Sequence, residues 1–153
     1  MEFRVGANRR EQQECTSQYM TVVNKVCNTP ENSLAKSITV ALGGFSFGAY
    51  IAQRTATAMS DIRLLISIAP PVHHFAMQAL KEPACPWLIV QGDQDEIVPA
   101  AQVYEWANSF VPHPMIKRFE TATHFFHGKL VELQGVLREV MQSVLIENKD
   151  INQ

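Results

Sequence analysis

The sequence predicts an α/β fold, a mostly parallel sheet of about four strands with helices on both faces. Three observations point there. Short apolar runs recur from Ser37 onward, as in "SITVAL" and "PWLIVQG". Longer stretches of helical character, such as "AAQVYEWANSFV", separate them. Hydrophobic residues make up 46% of the chain and charged residues 18%, the balance of a globular protein with a packed core. Strands alternating with helices favour a parallel sheet, because each parallel pair needs a crossover between its strands.

The elements follow in order. Residues 1–36 are polar and rich in Gln, Glu and Asn, with one apolar patch, "YMTVVNKVC". Met20, Val23 and Val26/Cys27 fall there at helical spacing, so a short amphipathic helix is expected. "NTPENS" reads as a turn. "SITVAL" suits a strand buried on both faces. After the glycines of "GGFSFG" comes a helix, "GAYIAQRTATAMS", and then a second buried strand, "IRLLISIAP". "PPVHHFAMQALKEPAC" is a connection with a helical turn, and "PWLIVQG" is a third strand. "DQDEIVP" is a loop, "AAQVYEWANSFV" a helix and "MIKRFE" a fourth, short strand. "TATHFFHG" is a loop before a long closing helix, "KLVELQGVLREVMQSVLIENK". The expected organisation is a polar segment at 1–36, a main domain at 37–148 and a tail at 149–153.

Charge and composition narrow the function. A net charge of −2 and a pI near 6.2 give no electrostatic case for nucleic acid or an anionic membrane. Arg9 and Arg10, an adjacent basic pair, read as solvated surface. No apolar run approaches the roughly 20 residues of a membrane span. Cys15, Cys27 and Cys85 cannot all pair and form no C-x-x-C, and no secretory signal is evident. Reduced thiols and a cytoplasmic location are therefore expected.

The chemistry concentrates in "GGFSFG". Gly44, Ser46 and Gly48 fit G-x-S-x-G at a strand-to-helix junction. The missing Cβ atoms of both glycines would let helix and strand approach closely. Ser46 would project its hydroxyl above the sheet, and the backbone N–H of Phe47 would face a developing oxyanion. A serine hydroxyl needs a base, and the base an orienting acid. In this fold class the chain order is serine, acid, histidine. Asp95 follows the third strand in "QGDQDEIVP" and His124 follows the fourth in "THFFHG". All three then lie at the carboxyl ends of parallel strands, where open α/β sheets build their sites.

"GGFSFGAY", "QGDQDEIVP" and "THFFHGKL" resemble the α/β-hydrolase superfamily, and most of all small bacterial serine hydrolases related to dienelactone hydrolases. "APP" at 69–71 is similar to that group as well. The resemblance spans residues 37–147. It implies a partial α/β-hydrolase fold, with Ser46 as nucleophile, Asp95 as acid and His124 as base. It also implies hydrolysis of a small carboxylic ester or thioester without cofactor or metal.

Competing residues are read as follows. Asp93 is expected to cap its loop by bonding to backbone, and Glu96 to face solvent. His127 is expected to pack or cap at the start of the last helix. His73 and His74 read as structural or as part of a substrate lip, because neighbours on an extended chain point opposite ways and no ligand cluster accompanies them. Phe45 and Phe125 are candidate substrate-binding residues; Phe47 and Phe126 could line the same acyl pocket, and for all four the alternative is ordinary core packing. Trp87 and Trp106 read as packing.

One expectation departs from the family pattern. Little chain precedes Ser46, and no H-G-G-type loop supplies a second oxyanion donor. "EFRVGA" resembles the end of an earlier strand in the family and "YMTVVNKV" the helix before the nucleophile strand, with "NRREQQECTSQ" in place of a glycine-rich stretch. A shortened or frame-disrupted gene, or a misplaced start, is the expected origin. "SITVAL" then becomes a sheet edge, for which pairing of two chains or poor solubility is expected. The function expected is a weakly active or inactive serine hydrolase. The alternative is a catalytically dead remnant that serves as an interaction module or is a pseudogene product.

Overall fold

A computed structural model of the chain describes residues 40–147. The expected N-terminal segment and its helix, the "EFRVGA" stretch and the tail at 149–153 lie outside the described residues. Within them, four strands form one parallel sheet in the order β1 (Val40–Phe45), β2 (Ile62–Ile68), β3 (Trp87–Gly92) and β4 (Met115–Phe119). Helix α1 (Phe47–Ala58) links β1 to β2, and α2 (Ala100–Asn108) links β3 to β4. The connection from β2 to β3 contains a single 3-10 turn, Met77–Ala79. Helix α3 (Leu130–Glu147) closes the described chain.

Strand order explains where the helices go. Each crossover steps to the next strand in the same direction, so crossovers of one hand fall on one face. On that face Tyr50, Ile51 and Ala56 of α1 and Val103, Trp106 and Ala107 of α2 pack on Leu42, Leu65 and Ile89. The strands alternate sides, and their other face presents Leu64, Ile66, Leu88 and Val90. Among the described residues α3 covers that side, through Leu133, Val136, Leu137, Val140 and Val144, spaced as one helical stripe, with Ala122 and Phe126 of the preceding loop beside it.

Strand β1 differs from its reading. It runs on through Gly43 and Gly44 to Phe45, so two of the glycines belong to the strand. It is also buried on one face. Leu42 is in the core under α1, while Ala41, Gly43 and Phe45 are exposed on the face that α3 covers farther along the sheet. The reason is position. β1 stands at the end of the strand order among the described residues, beyond the reach of α3. The other strands lie within a residue or two of where the apolar runs place them.

Candidate active site

Ser46 sits between β1 and α1, with φ 51° and ψ −120°. A non-glycine residue in that region is strained by about 1–3 kcal/mol, and the surrounding structure must hold it there. Two contacts do. The Ser46 N–H donates to the Ile68 carbonyl at the end of β2 (2.8 Å), and the Ser46 carbonyl accepts from the Ala49 N–H (2.9 Å). Gly44 makes the turn sterically feasible. A Cβ there would lie 2.1 Å from the Gly48 carbonyl group. Gly48 plays the other half of that contact: its own missing side chain faces open space, so the close approach depends on Gly44 alone. Phe47 opens α1, and its N–H belongs to the first turn, whose donors have no acceptor within the helix.

Asp95 and His124 meet across two neighbouring loops. The Asp95 Oδ2 lies 2.8 Å from His124 Nδ1, with the two side chains 0% and 3% exposed. The same Oδ2 accepts from Gln91 Nε2 (3.0 Å), and Oδ1 accepts from the N–H groups of Ile97 (2.9 Å) and Val98 (2.7 Å). A carboxylate can only accept, so it assigns a proton to His124 Nδ1, and in the neutral ring Nε2 then carries the lone pair. The loops are held together at the main chain as well. The N–H of Asp93 donates to the Phe119 carbonyl (3.0 Å) and that of Gln94 to the Ala122 carbonyl (3.1 Å). A Cβ on Gly92 would lie 2.4 Å from the Ala122 carbonyl oxygen, so this junction too requires glycine.

Ser46 and His124 line one cavity of about 430 Å³ at the carboxyl ends of the strands. Its walls include Phe45, Phe47, Phe75 and Phe125. The His124 ring packs against both Phe45 (centroids 4.9 Å apart) and Phe125 (5.1 Å, edge to face), which also touch each other (6.0 Å). Phe45 and Phe125 are each 40% exposed, at the cavity mouth. Phe126 is instead buried in the core against Phe119. Ser46 Oγ makes no hydrogen bond with the described residues; in unliganded sites that bond is commonly long and tightens with substrate. No second oxyanion donor is identified among the described residues.

Several readings need correction. Asp93 does not cap its loop. Its carboxylate pairs with Arg118 Nη2 (2.8 Å) and accepts from the Tyr104 hydroxyl, while Arg118 lies over the Tyr104 ring. The bond from Arg118 holds the Asp93 carboxyl below its ordinary range, and burial together with Asp93 pushes the Tyr104 phenol up. It is Asp95 that caps the loop, through Ile97 and Val98. Glu96 is not merely solvent-facing, since its Oε2 accepts from the His124 N–H (3.1 Å). His73 and His74 lie in a turn, so their rings come together at 3.9 Å, and both line the cavity. Burial and His74 hold the His73 pKa below its ordinary value. His127, read as packing or capping, is exposed and outside the cavity, with its ring against Phe125 (centroids 5.9 Å). Trp87 and Trp106 do pack, edge to face at 5.3 Å. The roles of Gln91, Gly92 and Glu96 go beyond the sequence reading. A polar Gln91 at the end of an otherwise apolar strand was the one available signal.

No protein-family model matches the chain. An uncharacterized protein of Rickettsia prowazekii (strain Madrid E) is 32% identical over 109 residues, 66% of this chain and 46% of the relative. An α/β serine hydrolase without lid from Xanthomonas campestris is 34% identical, with a TM-score of 0.71, over 94% of this chain and 60% of that one. An α/β serine hydrolase homologue from Coxiella burnetii is 35% identical, with a TM-score of 0.70, over 89% and 61%. The chain belongs to the α/β-hydrolase superfamily and carries a partial form of that fold. It spans less than half of the curated relative and about three fifths of the two solved structures. Among the described residues no helix is long and apolar enough to cross a membrane, and no group of three or more His, Cys, Asp or Glu could hold a metal ion.

Proposed function

We propose that this protein is a serine hydrolase acting on a small carboxylic ester or thioester. The hydrogen bond between buried Asp95 and a His124 that shares one cavity with a strained Ser46 carries the reading. Ser46 Oγ attacks the acyl carbonyl carbon as His124 Nε2 takes its proton. The carbonyl oxygen becomes an oxyanion facing the Phe47 N–H, a donor of a kind worth about 3 kcal/mol in the transition state. Collapse breaks the bond to the alcohol or thiol, which leaves with the proton from His124. Water, deprotonated by the same nitrogen, then releases the acid from the acyl-enzyme. Asp95 orients the imidazole throughout. Phe45 and Phe125 contact the acyl or leaving group.

Hydrolysis of p-nitrophenyl acetate and butyrate tests this reading. Turnover with a burst of p-nitrophenol, absent in Ser46→Ala, is the expected result; equal rates in both proteins would refute it. One observation favours a second reading, an inactive remnant serving as an interaction module: Ser46 Oγ has no hydrogen bond among the described residues. That reading expects no burst from either protein.

A further inference from the structure

We propose that Glu96 is a positioning residue that holds the main chain of His124. Adjacent residues of one loop grip this histidine at two points. Asp95 takes the ring through Nδ1 at 2.8 Å, and Glu96 takes the backbone N–H through Oε2 at 3.1 Å. His124 is 2% exposed, and among the described residues Glu96 is the acceptor of that N–H. A buried N–H left without an acceptor is destabilised, so the loop would shift to reach one.

Geometry gives the second grip its purpose. A hydrogen bond to Nδ1 fixes the direction of the ring but leaves the loop free to slide or tilt about that bond. The ring must also keep its place against Phe45 and Phe125 for Nε2 to face the Ser46 side of the cavity. Fixing the N–H of the same residue removes that freedom. A misplacement of about 1 Å is enough to slow an acyl transfer strongly. Glu96 lies on the exposed side of the loop, so it can be replaced without disturbing the core.

The inference rests on the Ser46–His124–Asp95 reading, and the experiment separates the two. Glu96→Ala, Glu96→Met and Glu96→Gln are compared with the unaltered chain. One readout is the rate of labelling by a fluorophosphonate. The other is hydrogen exchange of the His124 amide, which needs no activity. Glu96→Ala and Glu96→Met are expected to label about 3- to 10-fold more slowly, with faster amide exchange. Glu96→Gln keeps an oxygen acceptor at the same reach and is expected to restore both. Unchanged labelling and exchange in Glu96→Ala and Glu96→Met would overturn the proposal, as would a failure of Glu96→Gln to restore them. If the unaltered chain does not label, the hydrolase reading fails and the amide alone decides. Faster exchange restored by Gln then upholds the clamp, and unaltered exchange overturns it.

Discussion

At the carboxyl ends of the strands lies a cavity of about 430 Å³ that holds Ser46 and His124, and at their amino ends lies one of about 690 Å³. The second is walled by Pro83, Pro86, Pro112 and Pro114, with Trp87 and Met115 from the starts of β3 and β4. It contains His113 and Cys85, groups that do chemistry elsewhere. Yet His113 has no carboxylate partner among the described residues, and burial raises the Cys85 pKa, keeping the thiol protonated. At the carboxyl ends, by contrast, the Asp95 carboxylate receives four hydrogen bonds and its loop is tied to the next at several points. Volume alone does not mark a site. What separates the two ends is polar groups held by other polar groups, and backbone strain maintained at Ser46.

Substitutions at the two ends sharpen that contrast. Ser46→Ala is expected to remove at least about 1,000-fold of ester turnover, and His124→Ala or Asp95→Asn a similar factor, with folding retained by circular dichroism. Gly44→Ala comes next. Its methyl would overlap the Gly48 carbonyl, so the serine turn must shift, lowering turnover about 10- to 100-fold and stability by about 1–3 kcal/mol in urea unfolding.

The Asp93–Arg118 pair gives a smaller effect, read in stability. The Asp93 pKa is lowered in the folded state, so the pair's contribution is present above the ordinary value of 3.8 and fades as pH falls below it. The gap in melting temperature between the unaltered chain and Arg118→Met should therefore narrow from pH 6 to pH 3. A gap that stays constant would show that the pair does not contribute in this way. The smallest effect belongs to the amino end, where His113→Ala and Cys85→Ser should leave turnover within about twofold of the starting rate. A large loss there would break the contrast between the two ends.

Much of this was readable from local signals. Apolar runs such as "IRLLISI" mark strands because burial on both faces leaves no room for polar alternation. Gly44 and Ser46 were legible because a strand-to-helix turn this tight tolerates few residues. Asp95 and His124 stood out by position after successive strands. What escaped is non-local. Asp93 and Asp95 differ by two places in the sequence, and only the packing of β4 and α2 sends one to Arg118 and Tyr104 and the other to His124. Glu96 reads as a surface carboxylate until the loop 28 residues on folds over it. The face of β1 that stands exposed could not be foreseen from "SITVAL", since its cover depends on how far α3 reaches.

The central claim is that Ser46 is activated by His124 and Asp95 in the folded chain. Labelling of purified protein with a fluorophosphonate probe, beside Ser46→Ala and heat-denatured controls, tests it most directly, because the probe reacts with serines activated by a working base. Labelling of the folded chain that both controls abolish is the expected result. Folded protein that does not label, or labels equally as Ser46→Ala, would contradict it.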